Sequence, residues 1–195
     1  MSDRIAGLVL AGGRSRRFGA DKALADFRGR PLIAWSLDAL VQYAHVLGVA
    51  GPPALAAWLV VDAVPDEPGA PDGPLAGVLA GLAWAARCDC ALLATVPCDT
   101  PFLPSDLVPR LAAALGDRPV VAARAERVHA LCAVWRSDAA SALAALARNG
   151  RQLSMQALID VLGGGYADFP DEAAFANLNT PADFAAAEER AASLC

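Results

Sequence analysis

The chain has 195 residues and a mass of 20.0 kDa, which suits one domain with one core spanning residues 1–195, and no uninterrupted apolar run approaches the roughly 18 residues needed to cross a bilayer. A net charge of −5 at pH 7 disfavours nucleic acid and membrane surfaces as partners. Five cysteines, an odd count with neither a CxxC pair nor a zinc spacing, argue against a disulfide framework, and without a signal-peptide pattern the expected location is the cytoplasm.

The charge is uneven. Residues 1–30 hold seven of the 16 cations against Asp3, Asp21 and Asp26, a local balance of +4 that leaves −9 for the remainder. A basic segment this short fits a small anion better than a duplex.

In chain order, apolar runs of strand length alternate with segments at helical spacing, the pattern of an α/β domain with a mostly parallel sheet. Ile5–Leu10 reads as the first strand, followed by a Gly- and Arg-rich loop to Asp21. A helix is predicted from about Pro31 to Tyr43, a strand over His45–Val49, a short helix over Ala54–Ala57 and a third strand over Leu59–Val64. Pro65–Gly73 is a long loop, and Leu75–Ala86 is helical. Cys90–Val96 reads as a central strand buried on both faces, which puts Asp99 at its carboxyl edge. A helix over Pro104–Leu115, strands near Pro119–Ala123 and Ala130–Trp135, helices from Ser137 and about Leu153, and a final helix from Pro181 complete the chain. Ligands of open α/β sheets sit outside the carboxyl ends of the strands, so the segments after Leu10, Val64, Val96 and Trp135 are expected to converge.

The loop Leu10-Ala11-Gly12-Gly13-Arg14-Ser15-Arg16-Arg17-Phe18-Gly19-Ala20-Asp21-Lys22 combines glycines with cations directly after a buried strand. Gly12 and Gly13 let the backbone approach an anion, and Arg14, Arg17 and Lys22 can neutralise a triphosphate. It is neither a Walker loop nor GxGxxG, and a solvated basic turn is the other reading. Lys22 is the only lysine against 15 arginines, so a position that holds Lys calls for a compact ammonium.

Asp99, at the end of an apolar strand, needs a cation or solvent, and Mg²⁺ is a suitable partner because it takes one or two carboxylates plus phosphates and waters. Its alternative is a cap for the following helix. Asp66 lies in the third loop, where a solvated acid is as good a reading. Gly77, in the first turn after Gly73-Pro74, would let a flat ring or sugar lie on the backbone, or simply belong to a helix start. His129 is more simply a satisfied structural histidine, and Cys98 a small buried residue.

The string from Leu10 to Lys22 resembles the Leu-Ala-Gly-Gly-x-x-x-Arg-x-Gly-x-Asp-Lys signature of nucleotidyltransferases with a glycosyltransferase-A-like fold. With Gly29-Arg30-Pro31-Leu32, Asp72-Gly73-Pro74-Leu75-Ala76-Gly77, Pro97-Cys98-Asp99-Thr100-Pro101 and Asn177-Leu178-Asn179-Thr180-Pro181, the chain resembles the bacterial molybdenum cofactor guanylyltransferase (MobA) family from Leu8 to about Glu188. The resemblance implies a Rossmann-like three-layer α/β/α sandwich, nucleotide-diphospho-sugar transferase-like, that moves GMP from GTP to molybdopterin with Mg²⁺. It implies catalytic roles for Lys22, Asp99 and Arg17, nucleotide contacts from Leu10, Ala11, Gly12, Gly13, Arg14, Lys22, Asp66, Gly77 and Asp99, a metal at Asp99, and acceptor contacts from Asn177 and Asn179. Asn177 and Asn179 have a second reading as caps of the helix at Pro181. Transient contact with proteins of molybdoenzyme maturation is a further implication.

Two departures stand out. The family's Asn after the second strand is missing, the chain reading Val49-Ala50-Gly51, and Arg124–Val128 keeps only a trace of the family's acceptor-side loop. Three rivals remain: a cytidylyltransferase for the same acceptor, a sugar-phosphate nucleotidyltransferase, and a nucleotide-binding module without catalysis.

Overall fold

The computed structural model describes residues 3–12, 22–148 and 153–193. Its described residues form a seven-stranded sheet whose first strand, β1 (Ile5–Leu10), is flanked on one side by β4 (Val46–Ala50) and β5 (Asp62–Ala63). On the other side follow β6 (Leu92–Pro97), β8 (Val128–Arg136), β7 (Val120–Arg124) and β9 (Gly165–Asp168). All neighbours are parallel except β8, which runs antiparallel to both β6 and β7. A short hairpin, β2 (Asp26–Phe27) with β3 (Arg30–Pro31), lies apart from the sheet.

Every residue of β6 and all but the first of β1 are buried, as near-continuous apolar runs at the centre of a parallel sheet must be. Alternate strand residues serve two helical layers. Val9, Val49, Val96, Val121 and Val134 face α1 (Leu32–Val41), α2 (Pro53–Leu59) and α4 (Leu107–Leu115), through Ile33, Leu40, Leu55 and Leu111. Leu8, Leu10, Leu93, Val120 and Trp135 face α3 (Pro74–Arg87), α5 (Ala140–Arg148) and α6 (Met155–Val161), through Val78, Leu82, Leu143 and Ile159. This is the three-layer sandwich. Thr95, a buried polar residue within β6, is satisfied: its hydroxyl donates to Leu131 O at 2.9 Å and accepts from Trp135 Nε1 at 3.2 Å.

The last helix, α7 (Pro181–Ser193), closes over the β2–β3 hairpin through Leu178, Ala187 and Ala191 against Phe27 and Leu32. Trp35, Phe102 and Phe184 pack edge-on around Phe27, with ring centroids 5.7, 5.8 and 6.3 Å away. Arg30 stacks on Trp35 and pairs with Asp38 at 2.8 Å.

Three expectations need correction. The strand expected over Leu59–Val64 shrinks to Asp62–Ala63, because Leu59 ends α2 and Val60 leaves it in a left-handed conformation at φ 58°. The segment after Trp135 does not reach the carboxyl edge: β8 is antiparallel, Arg136 pairs with Leu92, and the Ser137 hydroxyl donates to Cys90 O at 2.6 Å at the opposite end. The carboxyl edge receives the β7–β8 turn instead. Finally, β9 and the β2–β3 hairpin fall where no strand is expected.

Candidate active site

Chain crossovers from β1 run first to β4 and β5, then jump back across β1 to β6. The reversal falls at the carboxyl ends of β1 and β6, where a crevice opens in such sheets. Backbone bonds weld its floor: Ala11 N to Ala50 O at 2.8 Å, Cys98 N to Leu10 O at 3.1 Å, and Leu178 N to Asp99 O at 3.0 Å. The last of these brings the Asn177–Pro181 segment onto the end of β6.

Lys22, from the start of the chain, meets Asp99 and Asn179 here. Its Nζ donates to Asp99 Oδ2 and to Asn179 Oδ1, both at 2.6 Å. The Lys22 and Asp99 side chains are each 14% exposed, so the pair is mostly withdrawn from water and its charge-assisted bonds are strong. Asp99 Oδ1 is buried with no hydrogen-bond partner among the described residues, an acceptor that still needs a donor or a cation.

Asn179 is free for this contact because it does not cap the following helix. Thr180 does: its Oγ1 accepts from Asp183 N at 3.2 Å, while Asp183 Oδ2 accepts from Thr180 N at 2.7 Å and Asn179 N at 2.8 Å. This is a capping box. The backbone N–H groups of Asn179 and Thr180 hold the Asp183 carboxyl below its ordinary range.

Beside the trio lies a cavity of about 290 Å³ lined by Leu10, Gly12, Ala50, the 66–74 loop and Gly77. Asp66 is therefore at this cavity, with Glu67, which the sequence did not single out, and Asp72, the first residue of the Asp72–Gly77 piece, as further acids. Gly77 has a packing reason as well, since a Cβ there would stand 3.0 Å from Leu10 Cδ2 and 3.1 Å from Ala50 Cβ. Gly13, Arg14 and Arg17 lie outside the described residues.

Asn177 faces a different space, a cavity of about 100 Å³ lined by Pro97, Thr100, His129–Cys132 and Phe175. His129 is held by Glu172, Nε2 to Oε2 at 3.0 Å, and stacks on Phe175 with centroids 4.3 Å apart. Arg127 pairs with the same carboxylate at 2.6 Å. Burial raises the Glu172 carboxyl, but the bond and charge of His129 and those of Arg127 outweigh it and hold the group below its ordinary value. Glu172 carries no motif, and nothing in the sequence links it to His129.

Burial pushes the Cys98 thiol up to about 12 and raises Cys132 as well, which disfavours the thiolate at both. No described helix is long and apolar enough to cross a membrane.

Residues 7–162 match the model of the MobA-like NTP transferase domain. A molybdenum cofactor guanylyltransferase of Cereibacter sphaeroides is 44% identical over 188 residues, covering 95% of this chain and 96% of that protein. One of Rhodobacter capsulatus is 42% identical over 192 residues, covering 96% of each. Among solved structures, the molybdopterin-guanine dinucleotide biosynthesis protein A of Archaeoglobus fulgidus superposes with a TM-score of 0.73 at 21% identity, covering 96% of this chain and 99% of that one. The 2-C-methyl-D-erythritol 4-phosphate cytidylyltransferase of Thermus thermophilus gives 0.67 at 20% identity, covering 95% and 98%. At these identities the two structures speak for the fold alone.

Proposed function

The chain belongs to the MobA-like NTP transferase domain family, and on that footing we propose that it transfers GMP from GTP to the terminal phosphate of molybdopterin in the cytoplasm. The observation that carries the reading is the meeting of Lys22, Asp99 and Asn179 at the sheet's switch point, beside a cavity floored by Leu10, Gly12 and Gly77. Relatives above 40% identity that bear the guanylyltransferase name, matched over nearly their whole length, support the choice of substrates.

In this mechanism an oxygen of the acceptor phosphate attacks the α-phosphorus in line with the bond to the β-phosphate. That bond breaks, and pyrophosphate leaves with the electron pair. Phosphate oxygen is nucleophilic enough to need no strong general base, so catalysis is positioning and charge stabilisation. Lys22 commits two of its three N–H donors to Asp99 and Asn179, which fixes the ammonium and leaves the third for a phosphate oxygen. Gly12, with Gly13, Arg14 and Arg17, would receive the outer phosphates, and Asp66 the ribose or base.

Mg²⁺ fits this site. Asp99 Oδ1 is a buried carboxylate oxygen with no hydrogen-bond partner among the described residues, an acceptor that a single hard cation would satisfy. An ion held by Asp99 would complete its shell with phosphates and waters. Bound there, it would neutralise phosphate charge.

The test is pyrophosphate release from each of the four nucleoside triphosphates, with and without molybdopterin. Release with GTP that depends on molybdopterin is the expected result. Equal use of CTP, or efficient transfer to a sugar phosphate, would overturn the substrate assignment.

A further inference from the structure

Asn179 is an exposed residue, so no surrounding core aims its amide, yet its Oδ1 meets Lys22 Nζ at 2.6 Å. The aim has to come from the backbone that carries it, and that backbone is tied on both sides. Before it, Leu178 N donates to Asp99 O at 3.0 Å, and Leu178 itself is buried against Phe27 and Leu32. After it, Asp183 Oδ2 accepts from Asn179 N at 2.8 Å and from Thr180 N at 2.7 Å.

Helix capping accounts for only one of the two Asp183 bonds. With Thr180 as the N-cap of α7, a capping box needs the third helical residue to bond the Thr180 N–H and the Thr180 hydroxyl to bond the third residue's N–H, and Asp183 meets both conditions. The Asn179 N–H lies one residue outside the box and contributes nothing to it. That bond is nevertheless the foremost cause holding the Asp183 carboxyl below its ordinary range. Because one oxygen takes both N–H groups, the backbone at positions 179 and 180 is gathered around a single point.

We infer that Asp183 is a positioning residue for the reaction: through the Asn179 N–H it sets the Asn179 amide, and through that amide the Lys22 ammonium. The catalytic consequence rests on the proposed transfer, whereas the geometry rests on the hydrogen bonds alone. Lys22 has three donors, of which two are committed to Asp99 and Asn179. Without a fixed Asn179 the ammonium is held by Asp99 alone and swings about that one bond, so its third N–H no longer keeps a single direction. GTP retains its other contacts, and the loss falls on the reacting geometry rather than on binding.

The test uses the fact that Lys22 is the only lysine of the chain, so protein carrying ¹³C-labelled lysine shows one ε-methylene group. A fixed ammonium keeps its two Hε protons inequivalent, and a mobile one averages them. Two resolved Hε signals are expected in the parent, in Thr180→Ala and in Asp183→Asn, and one averaged signal in Asp183→Ala. Thr180→Ala removes the other half of the capping box, with a fall in Tm of roughly 2–6 °C comparable to that of Asp183→Ala, and so reports what capping alone does. Asp183→Asn still offers one oxygen to both N–H groups, as Oδ2 does in the parent, and is expected to rescue. In steady-state transfer, Asp183→Ala is expected to lower kcat at least about tenfold with KM for GTP within about threefold, while the other two variants stay within about threefold of the parent in both. An averaged signal in the parent or in Asp183→Asn, resolved signals in Asp183→Ala, or equal averaging and equal loss of kcat in Thr180→Ala overturns the inference. The Hε signals need no substrate, so they decide the positioning whatever the reaction, and molybdopterin-dependent pyrophosphate release by the unaltered protein decides the reaction.

Discussion

Replacing Lys22 separates what the ammonium does for the fold from what it does for the chemistry. At 2.6 Å and an effective dielectric of about 20, the attraction to Asp99 is about 6 kcal/mol, most of which offsets the cost of withdrawing both charges from water. Lys22→Met leaves the Asp99 carboxylate in a site where it is 14% exposed, with Oδ1 already lacking a donor among the described residues. Stranding a fully buried charge costs about 3–5 kcal/mol, and the residual solvation here brings the expectation below that range, to about 2–3 kcal/mol. For a chain of this size that is a fall in Tm of roughly 5–10 °C. Asp99→Asn alone costs less, because its amide oxygen still accepts from Lys22, and the double variant removes the stranded charge. The pair is therefore expected to be non-additive, the double variant melting above Lys22→Met, with a coupling of at least about 1 kcal/mol. Turnover behaves differently: Lys22→Met loses at least about 10² in single-turnover GMP transfer, and the second substitution does not restore it. Melting curves and single-turnover transfer on the three variants are the assay. A Lys22→Met melt within about 1 °C of the parent, or strictly additive melts, would refute the buried-pair argument, and parental turnover would refute the catalytic one.

Asp99→Asn should abolish the Mg²⁺-dependent transfer, because a neutral amide is a poor ligand for a hard dication; Mn²⁺ binding followed by electron paramagnetic resonance in the presence of GTP should weaken at least about tenfold, and unchanged binding would remove Asp99 as the ligand. GTP should outcompete CTP at least about tenfold in kcat/KM, and Asn179→Asp, which adds a carboxylate beside Lys22 Nζ, should weaken molybdopterin binding more than GTP binding in calorimetry. Glu172 has its folded pKa lowered by His129 and Arg127 against burial, so its contribution is present above the unfolded carboxyl value of about 4.3 and is lost as pH falls through the lower folded value. Glu172→Gln should flatten the Tm–pH curve below about pH 4.5, and an unaltered slope would count against the clamp.

Much of the fold was legible because its signals are local. Ile5–Leu10 and the run ending at Pro97 are apolar without interruption, as only central parallel strands are. The site was legible where residue choice is costly: a lone lysine, and a carboxylate at the end of a buried strand. Strand direction near the end of the chain was the main failure. Pro119–Ala123 and Ala130–Trp135 have no room for a crossover helix between them, and a short connection makes a hairpin, so β8 had to run against its neighbours. The β9 strand and the Glu172 clamp were beyond reach for another reason. Gly165–Asp168 is four residues at a sheet edge, and the His129–Glu172 bond spans 43 positions with no periodicity to announce it.

The missing Asn after β4 has a steric counterpart. A Cβ on Gly51 would stand 3.2 Å from the backbone and Cβ of Ala11, and Ala11 N is bonded to Ala50 O, so the starts of the two loops are pressed together. A side chain at position 51 would press on Ala11, which would have to give by a few tenths of an ångström against that bond. The acidic groups lining the neighbouring cavity come instead from the single loop that carries Asp66, Glu67 and Asp72. Its course depends on Gly69 at φ 79° and Gly73 at φ 88°, conformations that other residues reach only with strain. The carboxylates that line this side of the crevice therefore come from one glycine-shaped loop rather than from two strand ends. A substitution at Gly69 or Gly73 would displace all three carboxylates together while leaving Lys22, Asp99 and Asn179 in place.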